Sequence, residues 1–165
     1  MLNMSKIARN RFLWFIVAVV CVVIAYDYQK SKAAEKYQKM LEIAAKNCDL
    51  EIMKSLIKES RDDSSVSKKA LYYASEKGCL EIVAFLLDEG VDINISLALL
   101  GAANGGQLEV VKLLLKRGAN PHIGDWKGRT AKTIAVRLSY HESSKPYREI
   151  ADLLHKSEKQ YKREQ

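Results

Sequence analysis

Residues 102–115 read AANGGQLEVVKLLL, and the same pattern occurs in ASEKGCLEIVAFLL at residues 74–87 and in AAKNCDLEIMKSLI at residues 44–57. In each copy an alanine precedes a Leu-Glu pair by six residues, and apolar residues follow that pair. The copies begin 30 and then 28 residues apart. A period in this range is typical of helical units that stack into a solenoid. Solenoids generally present an extended binding surface, so the pattern favours binding over catalysis.

Each copy contains the signals for two helices. The first helix is short and centres on the alanine, at residues 41–45, 71–75 and 99–103. The second helix begins at the Leu-Glu pair, and apolar residues such as Leu108, Val111 and Leu115 then lie on one face. Glycines such as Gly90 and Gly118 follow the second helix and suit a left-handed C-terminal residue. The sequence therefore predicts an all-α fold.

This helix-turn-helix-loop unit resembles the ankyrin repeat. The segment Gly118-Ala119-Asn120-Pro121, with Asp125 and Gly128-Arg129-Thr130-Ala131 after it, is similar to that family's loop. Thr130 is placed to cap the next first helix. A fourth copy aligns Ala135 with Ala102, and an insertion around residues 138–146 delays its second helix. The resemblance implies a solenoid of about four repeats at residues 40–157, followed by a polar tail at residues 158–165.

The resemblance also implies a non-catalytic protein that holds a protein partner on the concave first-helix face and on the loop fingers. Because the first spacings are shorter than a full repeat of about 33 residues, we expect short early fingers and a full finger in the fourth unit only. The matching positions are Lys46, Asn47, Glu76, Lys77, Asn104, Gly105, Asp125, Trp126 and Lys127. Trp126, at the fingertip, either anchors a partner or folds back onto Ile123 or Ile134.

A second signal lies at the N-terminus, where residues 12–26 read FLWFIVAVVCVVIAY. This uncharged run follows a basic flank at residues 1–11 and precedes a predicted helical stalk at residues 29–39. One interpretation is a single-pass anchor at residues 12–28, since aromatic and basic flanking residues extend a run that alone covers only ~22 Å of a ~30 Å hydrocarbon core. A second is a signal peptide cleaved near Ala25, which would leave a secreted or periplasmic protein. A third is a buried helix of a soluble protein.

The sidedness of an anchor stays undetermined by charge, because cations lie on both sides of the apolar run. The net charge of +7 also resides in the ends of the chain, since residues 40–144 carry as many acidic as basic residues. A nucleic-acid groove needs clustered cations on a folded face. We therefore expect membrane association through residues 12–28 and no nucleic-acid partner.

The residue types that carry chemistry are few. Cys48 and Cys79 lie in neighbouring units, and because packed helices are ~8–10 Å apart, we expect two core thiols rather than a disulfide. The three histidines lack partners at metal-ligand spacing. Ser139, His141 and Glu142 are adjacent only in sequence, which does not make a nucleophile and a base face each other. We expect no catalytic residue, metal, cofactor or small-molecule substrate.

Overall fold

The computed structural model of this chain describes the backbone of residues 4–60, 64–94, 97–142 and 144–163. Side chains are described within these ranges from residue 19 onward, except those of residues 20, 24 and 30. The chain divides into two compact units, Met1–Lys39 and Met40–Gln165. The second unit contains the repeats.

The described ranges form eight α-helices, which confirms the predicted all-α fold. They are α1 (Met4–Lys46), α2 (Leu50–Glu59), α3 (Ser64–Lys77), α4 (Leu80–Asp88), α5 (Ala98–Gly105), α6 (Leu108–Lys116), α7 (Ala131–Ser139) and α8 (Tyr147–Tyr161). An isolated antiparallel bridge joins Gly124 to Thr130 in the loop before α7. Thr130 caps α7 as predicted, because its side chain accepts a hydrogen bond from the Thr133 N–H.

The helices of the second unit form two rows. The first helices α3, α5 and α7 pack side by side, and the second helices α2, α4, α6 and α8 pack in the other row. The last residues of α1 serve as the first helix of the first repeat, where Leu41, Ala44 and Ala45 are buried. The core between the rows consists of aliphatic residues from the second helices: Met53, Leu56, Ile82, Val83, Leu86, Val110, Val111, Leu114, Ile150 and Leu154.

The repeated alanine explains how the units stack. Ala44, Ala74 and Ala102 are buried in the first helices, where a small side chain permits close approach of the next helix. Their carbonyls accept hydrogen bonds from the amides five residues later, at 2.9, 3.0 and 2.9 Å respectively. The turn between the two helices is therefore built in the same way in three consecutive repeats.

The loops between repeats differ from one another. Helix α3 begins at Ser64, so the residues around 64–67, where a finger would lie, are helical. Residues 140–146 separate α7 from α8, as the predicted insertion requires. Helix α8 continues to Tyr161, beyond the predicted end of the repeats at residue 157, and Glu158 forms an ion pair with Lys132.

The predicted membrane segment at residues 12–28 lies largely outside the described side chains. Helix α1 runs through it without a break in the backbone. Among the helices as far as the structure describes them, none offers an apolar stretch long enough to cross a bilayer.

Candidate partner-binding surface

The finger before α7 is organised by Asp125. One carboxylate oxygen of Asp125 accepts hydrogen bonds from the amides of Lys127 and Arg129, both at 2.9 Å. The other accepts a hydrogen bond from Arg129 Nε at 2.7 Å. These donors, with the Arg129 side chain first, hold the pKa of Asp125 below its ordinary value. Only 9% of the Asp125 side chain is exposed, so this carboxylate shapes the finger from within.

Trp126 lies at the fingertip and is 87% exposed. It does not fold back onto Ile123 or Ile134. The Lys127 ammonium lies 4.5 Å from the centre of the Trp126 ring, within the range of a cation–π contact. The finger thus presents an indole and a cation together.

The predicted first-helix positions fall into two groups. Lys46 and Asn47 are exposed at the end of α1. Glu76 and Asn104 instead contact each other across the repeat boundary, where the Asn104 amide donates to Glu76 Oε1 at 3.1 Å. Lys77 is exposed and forms an ion pair with Glu76 at 3.2 Å. The structure therefore brings together Glu76, Lys77 and Asn104, and leaves Lys46 and Asn47 at the end of the row.

The structure places Gly105 in the core, although the sequence suggested a surface position. A Cβ atom at Gly105 would lie 2.0 Å from the carbonyl oxygen of Glu76. The absence of a side chain lets α5 approach the backbone of α3. Gly105 is thus a packing residue and not part of the candidate surface.

Tyr72 is a surface residue that sequence reasoning missed. A Cβ atom at Gly101 would lie 3.2 Å from the Tyr72 ring, so the ring rests against the bare backbone of α5. Burial, with a smaller contribution from the Glu76 carboxylate, raises the pKa of the Tyr72 hydroxyl. Tyr73 contacts Tyr72 edge to face, with ring centres 5.8 Å apart. The sequence signal for this contact was the glycine at position 101. The other units have a large side chain at the equivalent position: Ile43, Tyr73 and Ile134.

Cys48 and Cys79 form a disulfide, so the predicted pair of separate thiols is wrong. Their Cα atoms are 5.3 Å apart, within the range that a disulfide requires. The prediction used the spacing of helix axes, whereas both cysteines lie in the turns that follow first helices, and these turns approach each other more closely. Cys21, in α1, is not bonded and is exposed.

Similar contacts join the turns of the later repeats. The Gln107 amide donates to the carbonyl oxygen of Glu76 at 3.2 Å, and the Tyr147 hydroxyl donates to that of Asn104 at 3.1 Å. Cys79 Sγ likewise lies 2.8 Å from the carbonyl oxygen of Ala45. The last carbonyls of a helix lack partners within it. Each repeat therefore supplies a side chain to the end of the preceding first helix.

In the described part of the insertion after α7, Ser139 and Glu142 each bond to other groups and not to each other. The Ser139 hydroxyl donates to the carbonyl oxygen of Val136 at 2.7 Å. Glu142 lies 3.9 Å from the Lys145 ammonium and accepts a hydrogen bond from the Ser144 hydroxyl at 3.3 Å. In the described part of the chain, no three His, Cys, Asp or Glu side chains are grouped as metal ligands would be.

Comparison with known proteins identifies the class. A family model of ankyrin repeats in three copies matches residues 16–96, and a model of a single ankyrin repeat matches residues 97–126. The chain belongs to the ankyrin-repeat family. The first of these matches begins within α1, before residue 40, where the repeats were predicted to start.

Two curated relatives share this region. The E3 ubiquitin-protein ligase hecd-1 of Caenorhabditis elegans is 33% identical over 139 residues, which is 80% of this chain and 5% of that protein. The probable E3 ubiquitin-protein ligase XBOS33 of Oryza sativa subsp. japonica is 40% identical over 72 residues, which is 40% of this chain and 14% of that protein. The chain thus spans a small part of each relative, and the ligase names describe the longer proteins.

Proposed function

We propose that this protein is a non-catalytic, membrane-tethered ankyrin-repeat module that binds a protein partner through its first-helix face and its last finger. Membership of the ankyrin-repeat family supports the interaction itself. The observation that carries the finger's role is the 87% exposure of Trp126. Large aromatic residues of this kind often dominate the binding energy of an interface.

The charge of the surface indicates the chemistry of the partner. Glu76 and Lys77 form an ion pair with each other, and Asp125 is enclosed within the finger, whereas Lys46 and Lys127 are exposed. The unpaired charge at these positions is therefore positive, and the Trp126 indole lies beside Lys127. A partner segment that combines acidic side chains with an apolar residue would be complementary.

The tether rests on the apolar run at residues 12–28. In the described part of α1, Val19, Val22, Val23 and Tyr26 are exposed. Exposed apolar side chains at this spacing favour burial in an apolar environment, and the hydrocarbon core of a bilayer is such an environment. The alternative is a signal peptide cleaved near Ala25, which would release a secreted or periplasmic protein. Recovery of a mature N-terminus at Tyr26 would establish that alternative, and recovery of residues 1–25 in the membrane fraction would exclude it.

The disulfide supports an oxidising compartment for the repeats. Disulfides such as Cys48–Cys79 form and persist in extracytoplasmic compartments and are rare in the cytosol. A tethered protein would then direct its repeats away from the cytosol. Labelling with a membrane-impermeant thiol reagent after reduction, in sealed vesicles of known orientation, would report the side on which Cys48 lies.

Charge reversal tests the binding face. We expect Lys46→Glu combined with Lys77→Glu to weaken capture of the partner by tenfold or more, as opposite charges at an interface become like charges. The matched control reverses Lys54 and Lys112, which lie on the second helices α2 and α6 and pair with Glu51 and Glu109. Capture that survives the test variant but not Trp126→Ala would restrict binding to the finger. Capture that survives both would contradict the proposed surface.

A further inference from the structure

The two cysteines of the disulfide differ in exposure. Cys48 is exposed, whereas Cys79 is only 3% exposed. A thiolate must approach a disulfide sulfur directly in order to exchange with it. An incoming thiol therefore has better access to Cys48 than to Cys79.

The backbone at Cys48 is also unusual. Its φ of +50° lies in the left-handed region, where the next two repeats have Gly78 and Gly106 with φ of +85° and +70°. Residues with a side chain occupy this region at a cost. Cys48 thus adopts, with a side chain, a conformation that the equivalent positions of the next two repeats reach with glycine.

The first repeat has few other buried contacts that would hold it to the stack once the disulfide is broken. Its buried apolar residues are Leu41, Ala44, Ala45, Met53 and Leu56, and two of these are alanines. Helix α5 of the third repeat, in contrast, is packed on both sides by α3 and α7. The first repeat, like the fourth, has a neighbouring repeat on one side only. The fourth buries larger side chains, Tyr147 and Ile150 among them, so the first is the unit that the stack can lose at least cost.

We propose that Cys48–Cys79 is a thiol–disulfide exchange site, and that its reduction by a small thiol such as glutathione releases the first repeat from the stack. The thiolate of one glutathione attacks Cys48 Sγ, the bond to Cys79 breaks, and Cys79 leaves as a thiolate that takes up a proton. A second glutathione thiolate then attacks the glutathione sulfur of the mixed disulfide. Glutathione disulfide leaves, and Cys48 takes up a proton. Two glutathiones lose two electrons and two protons, and the cysteine pair gains them.

A hydrogen-bond acceptor already lies beside Cys79 for the thiol that exchange produces. Its Sγ lies 2.8 Å from the carbonyl oxygen of Ala45, which can accept a hydrogen bond from the new thiol. Cys48, once unbonded, is free to leave the left-handed conformation. Because Lys46 and Asn47 directly precede it, the exposed end of α1 moves with the turn.

Hydrogen exchange in the full-length protein, carrying Cys21→Ser, tests this inference without any binding partner. The backbone N–H of Asp49 donates to the Ala44 carbonyl, and the backbone N–H of Gln107 donates to the Ala102 carbonyl, both at 2.9 Å. The same hydrogen bond is thus compared in the first and third repeats. On reduction with glutathione, we expect exchange at Asp49 to accelerate about tenfold or more, while exchange at Gln107 stays unchanged. Equal exchange at Asp49 before and after reduction would overturn the proposal.

The direction of attack is tested separately. In a Cys79→Ser variant, glutathione disulfide should form a mixed disulfide on Cys48 rapidly. In a Cys48→Ser variant Cys79 should react at least about tenfold more slowly, since burial suppresses exchange. Both variants also carry Cys21→Ser. Mass spectrometry of the intact protein gives both rates. Equal rates would show that access does not select Cys48. Both readouts are independent of partner capture, so failure of the exchange proposal and failure of the proposed function are distinguishable.

Discussion

The side chain of Gln107 crosses a repeat boundary and donates a hydrogen bond to the backbone carbonyl of Glu76 at 3.2 Å. The same side chain fills the space above Gly78, where a Cβ atom would lie 2.4 Å from its oxygen. One repeat earlier, the corresponding positions are Cys79 and Cys48, which share a disulfide. A hydrogen-bonding amide and a covalent bond thus occupy equivalent places in the stack.

This equivalence predicts that a second disulfide can be introduced. Gly78→Cys with Gln107→Cys places cysteines at the positions that Cys48 and Cys79 hold one repeat earlier. We expect the pair to oxidise spontaneously, because the turns repeat the same geometry. Peptide mapping without reduction would detect the bond, and Gly78→Cys with Leu108→Cys provides the control that should not pair. Free thiols at both positions of the test variant would contradict the equivalence.

Substitutions at Cys48 should separate the covalent bond from the backbone conformation. By loop entropy, a bond that spans 31 residues contributes about 3–4 kcal/mol. Cys48→Ala loses that contribution and keeps a side chain in the left-handed region. Cys48→Gly loses the bond but relieves about 1 kcal/mol of backbone cost. Urea unfolding under oxidising conditions should rank the wild type above Cys48→Gly and Cys48→Gly above Cys48→Ala.

Gly105→Ala should destabilise the protein by about 2–3 kcal/mol, because the added carbon overlaps the Glu76 carbonyl and α5 must move away from α3. The matched control is Gly118→Ala, where φ is +89° and nothing lies within 4 Å of the added carbon. That change should cost only about 1 kcal/mol through the backbone. Thermal unfolding measures both, and a smaller loss at Gly105 than at Gly118 would contradict the close approach of the two helices.

Ser75→Ala should stabilise the protein. Ser75 is fully buried, and within the described part of the chain its hydroxyl has no hydrogen-bond partner. Ala45 and Ala103 occupy the equivalent positions in the adjacent repeats. Removal of an unsatisfied buried hydroxyl is expected to add about 1 kcal/mol to the free energy of unfolding. Ser157→Ala is the control, because the Ser157 hydroxyl donates to the Leu153 carbonyl, and its removal should not stabilise.

The finger should loosen in acid. Arg129 and the nearby amides lower the pKa of Asp125 in the folded protein. The ionised carboxylate therefore stabilises the finger at pH values above 3.8, the ordinary pKa of this group. That stabilisation is lost as the pH falls from this value through the lower folded pKa. The protection of the Arg129 amide, which donates to Asp125, should fall over this range when its exchange rate is divided by the intrinsic rate at each pH. Asp125→Asn should abolish the pH dependence, and a dependence that persists would assign it to another group.

The fold could be predicted because the alanine and the Leu-Glu pair repeat at fixed spacing, and each marks a helix position with a physical reason. The sequence predicted where the finger lies in the chain, but it did not predict the conformation of the finger. The exposure of Trp126 depends on how Asp125 closes the turn, and no periodic signal reports such a turn.

The disulfide was missed for a different reason. The spacing of helix axes is the wrong measure for two residues that lie in turns. The sequence did hold a usable signal, since Cys48 stands where Gly78 and Gly106 stand in the later repeats, and Cys79 stands where Gln107 does. Aligned positions that contact each other across one boundary are expected to contact each other across the next.

The bond between Cys48 and Cys79 also determines how the protein responds to force. A load applied along α1 reaches Cys48 and passes through the sulfur atoms to Cys79, so it bypasses α2 and α3. The 31 residues of sequence separation would otherwise extend to about 105 Å of contour length. While the bond is intact, that length is hidden from the load, and the repeats beyond Cys79 become the first part of the chain that tension can extend.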